Sequence, residues 1–215
     1  CTSIEDWKQK AKGHKVFVTP HHMGYQGGYR GYNWNCFTEG DITPFVEMYS
    51  RHGLAESDQG DYPYLHDMGP RQWEGTIQYG LDQGHKFGIM ASTDQHSGYP
   101  GSYGDGRIGV LAPSLTRDAI WEALRNRHVC AATGDKILID FRLNDALMGD
   151  VVRGNSRRIY LNVTGESCID YVDIVKNGQL LARMNGPLTP IAPKDETIRC
   201  KIKVDFGWNR EEEYV

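Results

Sequence analysis

Lys86-Phe-Gly-Ile-Met-Ala-Ser-Thr-Asp-Gln-His96 is the stretch on which the reading of this chain turns. Its apolar part, Phe87 to Ala91, has the length of a buried strand. Just beyond that strand stand a carboxylate and an imidazole two residues apart, Asp94 and His96. Residues i and i+2 of an extended segment point the same way, so both side chains are expected in one mouth. In α/β folds the loops at the carboxyl ends of strands are free to carry chemistry, and metal ligands collect there.

Upstream, Val16-Phe-Val-Thr-Pro-His21-His22 repeats the arrangement: a β-branched run over residues 15–19 that finishes on two histidines. Neighbours on a strand face opposite sides, so one of the pair is expected to be a ligand. That is His21, with His22 behind it or against substrate. Pro44-Phe-Val-Glu-Met-Tyr-Ser50 is a further strand with Glu47 at its centre and His52 and Glu56 past its end. Glu47 has two readings, a core carboxylate paired with an arginine or a group facing the mouth that holds a ligand or a water. His52 and Glu56 are candidates to line the same site. His14, His66, His85 and His128 occupy loop or helix-end contexts and are expected to be solvated or capping.

Divalent metals need several histidine and carboxylate ligands converging from different strands, with a position left open. A D-x-H triplet by itself is a weak signal; its place after a strand strengthens it. Other catalytic signatures are missing, including a G-x-S-x-G elbow, a P-loop and an H-E-x-x-H helix.

The 215 residues suffice for one large domain or two small ones. Charged residues make up 24% and the net charge is -4, so nothing in the bulk electrostatics favours nucleic acid as a partner. No apolar run approaches the roughly 18 residues that span a bilayer. The five cysteines are scattered and form no CxxC pair, so neither a zinc knuckle nor a disulfide framework is expected. Cys1 reads either as a lipidated mature terminus or as a cut, and the ending Glu-Glu-Glu-Tyr-Val215 also reads as a cut; the expectation is a fragment.

Helix and strand alternate up to about residue 135. Residues 3–13 read as a helix, capped by Ser3 and ended by Gly13, and residues 70–83 as another. The clearest helix is 116–128, with Thr116 as cap and Ile120, Trp121 and Leu124 on its apolar side. Strands are expected over 108–112 and 129–132. From residue 136 the pattern becomes apolar-polar alternation over 137–143, 158–163, 171–175 and 198–204, the signature of half-buried antiparallel strands. Two domains follow, 1–135 with α/β character and a β-rich module over 136–215.

Thr19-Pro-His-His22, Val46-Glu-Met-Tyr-Ser50 and Ala91-Ser-Thr-Asp-Gln-His-Ser-Gly98, taken in order, resemble the second half of a PHP domain, the polymerase and histidinol phosphatase superfamily. Leu115 to Gly134, Ile139 to Asn144 and the β-rich tail are similar to the closing segments of an uncharacterised branch of it. The resemblance implies the C-terminal part of a distorted (β/α)7 barrel followed by a small antiparallel β-sandwich. It implies divalent metals (zinc, manganese or iron) held by His21, Asp94 and His96, with Asp94 and His96 catalytic. The activity implied is hydrolysis of a small phosphorylated or ester substrate, in which metals activate water and stabilise phosphoryl charge. The family's opening H-x-H, its next histidine and its bridging glutamate would precede residue 1, so this chain is expected to carry part of each metal site. Half a barrel would also expose an open edge through which the chain could self-associate. The rival reading is a degenerate barrel that serves as a non-catalytic binding or interaction module.

Overall fold

The structure, a computed structural model, describes residues 4–37, 39–40, 42–58, 69–99 and 106–186. The chain divides into two compact units, Cys1–Ser167 and Cys168–Val215.

The first unit is organised around the strand that carries Glu47. β1 (Phe45–Ser50) turns back through residues 51–52 into the short β2 (Gly53–Leu54), paired antiparallel. On its other side β1 runs parallel to β3 (Gly88–Ala91), with Phe45 opposite Gly88 and Val46 opposite Ile89. The register slips between Glu47 and Tyr49, a bulge at Met48. Bulges bend a strand and re-aim its side chains, and they concentrate near functional sites. β4 (Arg107–Val110) and β5 (Val129–Ala132) form an antiparallel pair on either side of helix α3 (Arg117–Arg125). Thr116 caps α3 by accepting from the Ala119 N–H at 3.3 Å.

The core fills the space behind β1 and β3 with Met23, Trp34, Phe37, Val46, Ala55, Ile77 and Phe87. Trp34 is its centre. The ring stacks on Phe87 at 5.1 Å and on His85 at 5.5 Å, while its Nε1–H donates to the Thr76 carbonyl at 3.0 Å. An indole this deeply buried needs a partner for its N–H, and the end of a 3₁₀ turn supplies one. Thr76 then caps helix α2 (Ile77–Asp82) through the Tyr79 N–H. Helix α1 (Ile4–Ala11) lies within the expected 3–13, with Lys8 and Lys10 in its last turn; Ser3 lies outside the described residues.

The barrel expectation is overturned. Among the described residues there are three α-helices and ten strands in small separate sheets, and no closed barrel. A barrel needs consecutive strands paired in one continuous ladder. Here the β2 hairpin occupies one side of β1, and β4 pairs with β5 antiparallel instead of extending the parallel pair. Residues 15–19, expected as a strand, form no ladder strand among the described residues. The Val18 N–H reaches the Ile42 carbonyl and the Pro20 carbonyl accepts from Glu47, but proline has no N–H to continue a ladder. The half-barrel edge expected from the resemblance is therefore absent from these sheets among the described residues.

The β-sandwich is also replaced by separate small sheets. β6 (Leu138–Leu143) pairs with β7 (Ala146–Leu147) and β8 (Ile159–Thr164), and all three belong to the first unit. β9 (Tyr171–Lys176) and β10 (Gln179–Asn185) form a hairpin in the second, turning at Asn177-Gly178. Asn177 and Gly178 both take positive φ, at 51° and 69°, as the tight two-residue turn requires. The expected strand 198–204 lies outside the described residues. No helix among the described residues is long and apolar enough to cross a membrane.

Candidate metal centre

The carboxyl ends of β1 and β3 deliver a compact group of imidazoles and carboxylates. Asp94 is the hub. Its Oδ2 lies 2.8 Å from His52 Nε2 and 3.5 Å from His21 Nε2, and its Oδ1 lies 3.2 Å from His96 Nε2. Two ligand triads result, His21-His22-Asp94 and His52-Asp94-His96, each with its donor atoms within 4.8 Å of one another. Asp94 belongs to both.

Backbone conformation makes the convergence possible. His22 and Asp94 both sit at positive φ, 56° and 46°, in the left-handed region. Non-glycine residues there are uncommon and cluster where a site over-determines them. At His22 the left-handed turn breaks the strand alternation that would send adjacent side chains to opposite faces. The two rings therefore meet edge to face at 3.8 Å. At Asp94 it folds the segment after β3 back, so the carboxylate turns inward while His96 remains on the rim.

The site has a floor and an open side. His52 and Asp94 form the floor, with side chains 11% and 15% exposed, while the His96 and His21 side chains are 68% and 45% exposed. His52 is placed by the turn from β1 into β2; its N–H donates to Ser50 Oγ and its carbonyl accepts from the buried Tyr25 hydroxyl.

Glu47 reaches the site from beneath. Its Oε2 meets His21 Nδ1 at 2.5 Å, and its Oε1 accepts from the Ser92 hydroxyl. Its partners are thus a histidine and a serine rather than the arginine of the core-carboxylate reading. Glu56 is exposed and joins neither triad. His85 packs on Trp34, His128 meets Asp150 at 3.0 Å, His14 is exposed and His66 lies outside the described residues.

His22 and His52, expected behind the ligands or lining the site, thus stand among the candidate donors beside His21, Asp94 and His96. The signal for His52 was its place at the end of a strand already carrying Glu47. For His22 the signal lay in a backbone conformation that strand periodicity does not report.

The donor set fits a borderline divalent cation. Asp94 Oδ2 is buried and accepts no aligned hydrogen bond, although two imidazole nitrogens lie close to it. A buried carboxylate oxygen in that state is costly unless something positive satisfies it. Histidine and carboxylate ligands with an exposed rim suit zinc, manganese or iron.

The two adjacent imidazoles are pushed apart in proton affinity. The hydrogen bond to Glu47, aided by the Glu47 and Asp94 charges, raises the pKa of His21. Burial, and then the neighbouring His21 charge, lowers that of His22. In the metal-free protein the His21 ring is therefore expected to titrate above the ordinary histidine range and the His22 ring below it. Proton NMR of the imidazole resonances across pH checks this, and coincident midpoints would contradict it. Were His21 to ligate a cation, the ring would have to be neutral, so uptake would weaken as pH falls through the raised His21 range.

Three curated relatives match this chain, and each is described as an uncharacterized protein. Those of Chlamydia trachomatis and Chlamydia muridarum are both 27% identical, over 169 and 154 residues, and that of Chlamydia pneumoniae is 28% identical over 153. The matches take in 70%, 63% and 63% of this chain, but 27%, 25% and 25% of the relatives. The chain spans about a quarter of the length of the curated relatives it matches. No family model and no solved structure matches it.

Proposed function

We propose that this chain carries a divalent-metal centre of a metal-dependent hydrolase, with a phosphoester as the substrate class. The observation behind the proposal is the Asp94 carboxylate, half-buried with its Oδ2 out of solvent, flanked by His21 and His52 on that oxygen and His96 on the other. The ordered motifs that resemble the PHP superfamily support the same reading; the barrel does not enter it.

In this reading Asp94, His21, His22, His52 and His96 hold the metal. A bound divalent cation would supply Lewis-acid polarisation of the ester and a lowered pKa for water. The chain's own residues do the positioning. His52 and Asp94 fix the floor where water is excluded, and the exposed His21 and His96 leave the outer side open to a substrate. A dication held there would supply the positive charge that a compact, anionic, oxygen-rich group needs at that opening.

Calorimetric titration with zinc and manganese, followed by assay on bis(p-nitrophenyl) phosphate, tests the proposal. The expected result is saturable binding reversed by EDTA, with hydrolysis that requires the added metal. Metal uptake without hydrolysis of phosphate esters would favour a metal-bearing binding module. No uptake of either ion would overturn the proposal.

A further inference from the structure

Glu47 is a carboxylate in the interior of a strand, 7% exposed, and both of its oxygens are engaged. Three features hold it to one task. The bulge at Met48 displaces β1 where Glu47 must reach toward residues 20–22. The Glu47 N–H donates to the Pro20 carbonyl at 3.4 Å, so backbone and side chain both grip the segment that presents His21. On its far side Ser92, whose own N–H is anchored to the Tyr49 carbonyl at 2.9 Å, closes on Oε1.

The direction of this chain of hydrogen bonds matters. An ionised carboxylate only accepts, so the Ser92 hydroxyl proton and a proton on His21 Nδ1 both point at Glu47. Ser92 is thereby committed as a donor to a carboxylate and is not paired with an imidazole base, which argues against a nucleophilic serine here. A proton on Nδ1 leaves Nε2 of the neutral ring with a lone pair, and Nε2 is the atom that lies 3.5 Å from Asp94.

We propose that Glu47, held in place by Ser92, is a positioning residue that keeps the His21 imidazole in the Nδ1–H tautomer, leaving the unprotonated Nε2, with its lone pair, on the Asp94 side of the ring where a cation would bind. The tautomer stands on hydrogen bonding within the chain; its use in holding a cation rests on the metal-centre reading above. Carboxylates that orient a ligating imidazole through its other nitrogen commonly alter metal affinity by about 10–100-fold when removed.

Long-range 15N–1H NMR of the metal-free protein in alkaline buffer, where the ring is neutral, reads the tautomer directly. The wild type is expected to show His21 protonated on Nδ1. Glu47→Ala should lose that form in favour of Nε2–H. Glu47→Gln keeps an acceptor oxygen at the same reach and should restore it. Ser92→Ala leaves the strand and Glu47 intact and should lower the Nδ1–H population, so the test survives if Glu47→Ala fails to fold. Nε2–H in the wild type, or an unchanged tautomer in both Glu47→Ala and Ser92→Ala, would overturn the proposal. Zinc titration of the same proteins is expected to show affinity about 10–100-fold lower in Glu47→Ala, with Glu47→Gln nearer the wild type. A wild-type chain with the Nδ1–H tautomer but no zinc uptake would overturn the metal centre and leave the positioning role intact.

Discussion

Asp94→Ala is expected to abolish divalent-metal binding altogether, whereas His96→Ala and His22→Ala should each weaken it and leave the rest. The difference follows from membership: Asp94 stands in both ligand triads, His96 in one and His22 in the other. It is also the sole carboxylate in either triad, so its loss leaves only neutral imidazoles as direct donors to a dication in a partly buried site, the nearest remaining carboxylate being Glu47 behind His21. The effect should exceed the about 10–100-fold typical of losing a partner behind a ligand. Elemental analysis after dialysis against zinc, with calorimetry, measures it. Retention of wild-type zinc by Asp94→Ala would remove Asp94 from the centre. Asp94→Gly is a useful companion, because glycine accepts φ of 46° without strain. If Ala and Gly lose metal alike, the carboxylate is responsible and not the backbone turn.

The second large effect is expected in the core. Trp34→Ala should destabilise the first unit by about 3–5 kcal/mol, the range for deleting a large buried aromatic. That is a substantial share of the stability of an ordinary domain. Trp34 is 3% exposed, contacts Phe37, Phe87 and His85, and satisfies the Thr76 carbonyl ahead of α2. Overfilling the same place should also destabilise. An alanine Cβ at Gly80 would lie 2.3 Å from the Trp34 ring, far inside contact distance. Helix propensity favours Gly80→Ala by up to about 1 kcal/mol, but overpacking costs about 1–3 kcal/mol, so sterics should prevail. Urea denaturation of both variants checks the signs; a more stable Gly80→Ala would mean that the ring has room to shift. Trp34→Ala should also loosen the histidine–carboxylate cluster, since Val46 and Met48, on either side of Glu47, pack on this core.

How much of this was legible in the sequence can be followed element by element. β1, β3, α3 and the β4–β5 strands fall where apolar runs, Thr116 and turn residues placed them, because burial alternation and capping are local properties. Asp94, His96 and His21 were marked as candidates by their position after apolar runs, and the structure brings them together. The sheet pairing that replaces the expected barrel was not legible, because partner choice is non-local. Nothing in Phe45–Ser50 announces that its free side will take the Gly53–Leu54 hairpin in place of another parallel strand. The run 15–19 carries strand-forming residues, yet it ends at a proline and has no continuous ladder partner among the described residues.

The sequence by itself determined which residue types lie at the ends of β1 and β3, since a strand's length and its polar punctuation are written in consecutive residues. Tertiary structure decided which of those residues meet. The left-handed turns at His22 and Asp94, the bulge at Met48 and the tight return at His52 are conformations that packing imposes on the chain. Each re-aims a side chain by an amount that periodicity cannot encode, and together they gather four histidines around one carboxylate.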